Sequence, residues 1–103
     1  MIALLTELTK GPVIGAIVAV ASMRFYSSGI FDGSDCKGKE VVNHAIVIIG
    51  FCLRCKIPHF IIRNSWGKDW GEKGNFNLAM GDLNNPRGTC LIYGSEFTLT
   101  PIL

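Results

Sequence analysis

A histidine in an apolar segment, an asparagine downstream of it and two tryptophans in a glycine-rich loop are the residues here whose types and order suit covalent catalysis. They are His44, Asn64, Trp66 and Trp70. An imidazole can take the proton of a nucleophile, and it works best when a third group fixes the ring's orientation. The Asn64 amide suits that third role, because its oxygen can accept from one ring nitrogen and leave the other for a thiol. Being neutral, it orients the ring and keeps a thiolate–imidazolium pair accessible.

The elements around these residues must bring them together. Segment 43–51 is apolar on both faces and is expected to be a central strand. Residues 52–57 connect it to a partner strand over 58–64. With Phe51 opposite Ile57, regular antiparallel pairing sets His44 opposite Asn64, Cβ atoms about 4.5 to 5.5 Å apart on one face. A bulge would move that register by one residue. Trp66, two residues beyond Asn64, is placed to cover the Asn–His bond and keep water from competing for it. Trp70 follows where Gly67, Gly71 and Gly74 permit tight turns. The bland alternative is that both tryptophans plug the end of a barrel.

Elsewhere, residues 1–10 read as the tail of a helix, with Ile2, Leu4, Leu5 and Leu8 on one side and Gly11 as its stop. Residues 13–21 read as a buried strand, 23–29 as a helical turn and loop, and 29–33 as a short strand into a turn. Residues 32–40 and 81–88 are surface loops, 74–80 a third strand and 96–103 a final edge strand. This is one mostly antiparallel β domain over 1–103 with a short N-terminal helix on its flank.

Three runs in order carry a family resemblance. They are Val42-Asn43-His44-Ala45-Ile46-Val47-Ile48-Ile49-Gly50-Phe51, then Phe60-Ile61-Ile62-Arg63-Asn64-Ser65-Trp66-Gly67, then Trp70-Gly71-Glu72-Lys73-Gly74. Gly11-Pro12-Val13 and Phe25-Tyr26-Ser27-Ser28-Gly29-Ile30-Phe31 upstream, with Thr89-Cys90 and Ser95-Glu96-Phe97 downstream, extend it over nearly the whole chain. The chain resembles the papain and cathepsin family of cysteine peptidases. That implies an α+β family fold of which this chain is the β-barrel half, its helical half carrying the nucleophile. It implies His44 as general base and acid, Asn64 as its orienting group, Trp66 as a shield and Trp70 on the leaving-group side of the cleft. By position, Ala16, Val42, Ala45 and Ser95 resemble walls of the pocket for the substrate's second residue before the cut, which would favour a hydrophobic side chain. Cys36 and Cys90 sit where the family has a disulfide, which suits a secreted or lysosome-like compartment. The implied partners are a peptide or protein substrate and the helical half; no cofactor or metal is implied.

The chain departs from the family in what it lacks. The family's cysteine lies in a Cys-Gly-Ser-Cys-Trp segment roughly 130 to 150 residues before the His and Asn. Only 43 residues precede His44, and none form that segment. The family spacing puts the nucleophile roughly 90 residues before Met1, and the oxyanion-hole glutamine with it. Cys52 and Cys55 lie at the far end of the hairpin, on the order of 20 Å from His44, too far to substitute. That Cys-x-x-Cys pair is itself a departure: a local disulfide, two free thiols, or half a zinc site that has His59 nearby and no fourth ligand. Leu91 stands where the family tends to have glycine, which puts the tight turn there in question. Asn75 and Asn77 replace aromatic and basic residues and are expected to loosen the third strand.

Bulk properties exclude other classes. A net charge of +2, with ten Lys and Arg scattered and no stripe, does not suit nucleic acid. The apolar run 12–21 is too short to span a bilayer. A mean hydropathy of +0.35 is high for a small soluble unit and points to apolar surface that meets a partner. Two further readings follow. One is a non-catalytic half-domain that binds a partner. The other is a small secreted Cys-rich module, cleaved after Ala21 of the Ala19-Val20-Ala21 triplet; Glu7 and the helix-breaking Gly11-Pro12 pair argue against it.

Overall fold

The computed structural model describes residues 2–82 and 84–94 and the backbone of residues 97–98. Its sheet has six strands: β1 (Val13–Ile17), β2 (Ile30–Phe31), β3 (His44–Cys52), β4 (His59–Arg63), β5 (Asn75–Ala79) and β6 (Phe97–Thr98). Their order across the sheet is β2-β5-β4-β3-β1-β6, antiparallel except for the β2–β5 pair. The expected final strand is present where it pairs with β1; the rest of 96–103 lies outside the described residues.

β3 is interior, with β4 on one side and β1 on the other. Alternation along it sends Ile46 and Ile48 into the core. They meet Val13 and Ile17 of β1, Phe60 and Ile62 of β4, and Phe76 and Leu78 of β5. α1 (Ile2–Leu8) packs Leu4, Leu5 and Leu8 on that core. Ile2, expected on the same side, is solvent-exposed instead, because 3.6 residues per turn carry it off the face that Leu4, Leu5 and Leu8 share. The strand expected over 13–21 stops at Ile17, and Ala21–Phe25 forms a 3-10 turn.

Two expectations about side-chain detail are corrected. Asn77 does not loosen β5. Its amide donates to the Gly29 carbonyl at 3.2 Å and to Glu72 Oε2 at 3.1 Å, and the Tyr26 hydroxyl lies 2.8 Å from that same oxygen. The knot ties the glycine loop to β2 and β5. At the second position the tight turn is kept without glycine: Cys90 (φ 52) and Leu91 (φ 63) both take the left-handed conformation. The Cys36–Cys90 disulfide, with Cα atoms 5.1 Å apart, pins that turn to the 32–40 loop.

Candidate active site

The two key side chains are brought together by a hairpin whose register differs from the expected one. Phe51 pairs with Phe60, not Ile57, and Cys52 pairs with His59. Pro58 has no N–H to give to the ladder, so β4 begins one residue later than its apolar run suggests. A bulge between Ile48 and Gly50 then takes back one residue, leaving Val47 opposite Arg63. Extending that register places Ile46, rather than His44, opposite Asn64. The net shift at this end is two residues, an even number, so His44 and Asn64 remain on one face as diagonal neighbours.

Their side chains still meet. His44 Nε2 lies 2.6 Å from Asn64 Oδ1. The backbone N–H of Ser65 donates to the same oxygen at 2.7 Å, which fixes it as the acceptor atom of the amide. His44 therefore brings the hydrogen on Nε2, and Nδ1 carries the free lone pair. Asn64 is only 6% exposed, and its Nδ2 has no hydrogen-bond partner among the described residues. The residue thus spends a buried donor to hold its oxygen in place. On the other side Asn43 fastens the start of β3: its Oδ1 accepts from the Ala19 N–H at 2.7 Å, and its own N–H donates to the Ile17 carbonyl at 3.1 Å.

The loop after β4 is closed on itself. Asn64 N–H donates to the Gly74 carbonyl at 3.0 Å and Gly74 N–H to the Trp70 carbonyl at 2.8 Å. Gly71 (φ +61) turns so tightly that a Cβ there would stand 2.6 Å from the Asn75 carbonyl oxygen. This closure sets Trp66 over the histidine, ring centroids 5.2 Å apart, with 38% of the residue exposed. Trp70 sits one layer in, edge-on to Trp66 at 5.0 Å and to Phe76 at 5.4 Å. Its indole N–H donates to the Met23 carbonyl at 3.1 Å. A chain of aromatic rings thus runs from the half-buried histidine and its exposed Trp66 cover into the core, with Tyr26 5.5 Å from Trp70 as its far member.

Ala16 and Ala45 are direct partners across β1 and β3 on the face away from the core. Val42 lies half-buried just before β3, and Ser95 lies outside the described residues. An open cavity of about 680 Å³ is bounded by residues 18–22, Asp35, residues 38–41 and Asn43; Ala16, Val42 and Ala45 are not among its walls. All four cysteines are in disulfides, Cys36–Cys90 and Cys52–Cys55, so the hairpin pair is neither two free thiols nor half a metal site here. No group of three or more potential metal ligands occurs among the described residues. Sequence reasoning missed the Tyr26–Glu72–Asn77 cluster as the lock on the loop; Asn75 and Asn77, alternating with Phe76 and Leu78 on β5, were the available signal.

The architecture is the β-rich, C-terminal half of the papain fold. Bromelain from Ananas comosus, solved with the E64 inhibitor, superposes with a TM-score of 0.79 at 32% identity, over 91% of this chain and 42% of that one. Digestive procathepsin L 3 from Tenebrio molitor superposes at 0.71 and 30% identity, over 84% and 27%. In sequence, thiol protease aleurain of Arabidopsis thaliana is 39% identical over 83 residues, 80% of this chain and 23% of its own length. Mouse cathepsin K is 40% identical over 75 residues, 72% and 22%. The model of the papain family cysteine proteases matches residues 1–98, and the chain belongs to that family. It spans about a quarter of the length of the curated relatives it matches.

Proposed function

We propose that this chain is the histidine-bearing half of a papain-like cysteine peptidase and completes its catalytic group with a thiol from a helical half. The observation that carries the reading is the 2.6 Å contact of His44 Nε2 with an Asn64 oxygen already held by Ser65 N–H. That contact leaves Nδ1 to take the proton of a thiol facing it. The thiolate then attacks the peptide carbonyl. His44, now protonated at Nδ1, gives that proton to the departing amine, and in the second half of the cycle it activates the water that releases the acyl group. Asn64 stays neutral throughout and only orients the ring. Trp66 limits water at the Asn–His bond, Trp70 backs it from the leaving-group side, and Ala16, Val42, Ala45 and Ser95 wall a pocket for an apolar substrate side chain.

The chain by itself is inactive on this reading. Its four cysteines are all disulfide-bonded, and the oxyanion-hole glutamine belongs to the other half. Two disulfides in a chain of this size suit a secreted or lysosome-like compartment. The apolar side chains of Phe25, 83% exposed, and Val41, 77% exposed, suit cover by the helical half. They also favour the second reading, a half-domain that binds a partner without catalysis. The readings are separated by immunoblot of the native protein with an antibody to the 64–74 peptide. A band well above 11.2 kDa supports the peptidase half; a band at 11.2 kDa with and without reductant contradicts it.

A further inference from the structure

Cys52, the last residue of β3, and Cys55 just beyond it lie at the opposite end of the hairpin from His44, on the order of 20 Å or more away, and the proposed catalysis does not use them. They form a disulfide within the β3–β4 connection, three residues apart, Cα atoms 5.7 Å apart. Two features set this bridge apart from Cys36–Cys90. Cys55 is exposed together with its neighbours Arg54 and Lys56, and Cys52 is half-buried, whereas Cys36 and Cys90 are both in the core. The second feature is a histidine. His59 is the direct cross-strand partner of Cys52, so the two share a face with Cβ atoms about 4.5 to 5.5 Å apart.

The state of that histidine can be assigned. Its Nδ1 lies 2.8 Å from the Ile57 carbonyl oxygen, which only accepts, so Nδ1 keeps its hydrogen and Nε2 is the nitrogen that takes up or gives up a second proton. A sulfur beside a protonated imidazole leaves more readily as thiolate, and Arg54 and Lys56, next to Cys55 in the chain, add positive charge to the connection. A bridge over so short a loop also constrains the unfolded chain little. Its position, exposure and neighbours suit reaction better than bracing.

We propose that Cys52–Cys55 is a thiol–disulfide exchange site that accepts two electrons from an external dithiol, with Cys55 attacked and Cys52 leaving beside His59. A thiolate of the dithiol bonds to Cys55 Sγ as the bond between the two cysteine sulfurs breaks. The electron pair goes to Cys52 Sγ, which takes a proton from Nε2 of protonated His59 or from solvent. The dithiol's second sulfur, deprotonated, then attacks its partner sulfur in the mixed disulfide and releases Cys55 as a thiolate that is protonated in turn. The protein ends as the dithiol, the reductant as a disulfide, and two protons have moved with the two electrons.

The test uses the native full-length protein with dithiothreitol as probe, quenched at intervals with iodoacetamide and digested with trypsin. Peptides 40–54 and 55–56 report Cys52 and Cys55. The expected result is labelling of this pair at least about a hundredfold faster than of Cys36 and Cys90, which react only when the core opens. His59→Gln should slow labelling of Cys52 and Cys55 by about threefold and leave Cys36 and Cys90 unchanged. Equal rates at the two bridges, or a His59→Gln protein that exchanges as fast as its parent, would overturn the proposal.

Discussion

Replacing Asn64 with alanine should impair catalysis far more than stability. Two hydrogen bonds go with Oδ1, from Ser65 N–H at 2.7 Å and from His44 Nε2 at 2.6 Å. Each is worth about 0.5 to 1.5 kcal/mol net. Ser65 is exposed, so water can take up its N–H. Against this, the substitution deletes Nδ2, a buried donor without a partner among the described residues. Such a group costs about 1 to 3 kcal/mol when left unsatisfied. The two sides nearly cancel, and Asn64→Ala should change unfolding free energy by no more than about 1 kcal/mol. The imidazole, in contrast, loses what fixes its rotation, and misplacing a reacting group by about 1 Å can cost about a hundredfold in rate. The assays are urea unfolding and hydrolysis of a fluorogenic peptide by the two-half enzyme. A loss of 3 kcal/mol or more, on the scale of removing a core side chain, would make Asn64 a structural residue. Retained kcat/KM would refute its orienting role.

Further outcomes follow from the geometry. Gly71→Ala combines a left-handed backbone, costing about 1 to 2 kcal/mol, with a Cβ 2.6 Å from the Asn75 carbonyl. It should lower the urea midpoint and shift the tryptophan fluorescence of Trp66 and Trp70. Leu91→Gly should cost under about 1 kcal/mol, since relief of its left-handed strain offsets the lost half-buried side chain. The neighbouring Ile92→Ala, which empties a fully buried site, should cost about 2 to 5 kcal/mol in the same unfolding assay. Burial first, then the hydrogen bond to Glu72, pushes the Tyr26 hydroxyl up to about 12 from its ordinary value near 10. A raised value means stability is fully present below pH 10 and is lost as pH climbs toward about 12, because the unfolded chain releases that proton first. After solvent screening the loss is about 1 kcal/mol, and unfolding measured across that window should flatten in Tyr26→Phe.

Much of the site was legible in the sequence because strand faces depend on parity. An apolar run beginning at His44 and a second run leading to Asn64 put both residues on one face under any even register shift. The actual pairing was only partly legible. It depends on Pro58 delaying β4 and on a bulge at Ile49, whose mark in the sequence is the neighbouring Gly50 inside an otherwise apolar strand. The turn at Cys90 and Leu91 was hidden, since neither residue type favours positive φ and a distant disulfide partner holds it. Asn77 was misread because its value lies in neighbours from two other segments, the 26–29 loop with Tyr26 and Gly29 and the glycine loop with Glu72, that only the fold assembles. Trp70 is placed by the same fold-level contacts, through the Met23 carbonyl.

The central claim is that His44 serves a thiol supplied by a helical half, and one comparison tests it most directly. The native full-length protein and its His44→Ala variant would be assayed for peptide hydrolysis before and after iodoacetamide, with circular dichroism to check that both are folded. The account predicts hydrolysis by the parent that iodoacetamide abolishes, and none by the folded variant. Hydrolysis that survives His44→Ala, or a folded parent carrying a Cys-Gly-Ser-Cys-Trp segment that cleaves no peptide, would contradict it.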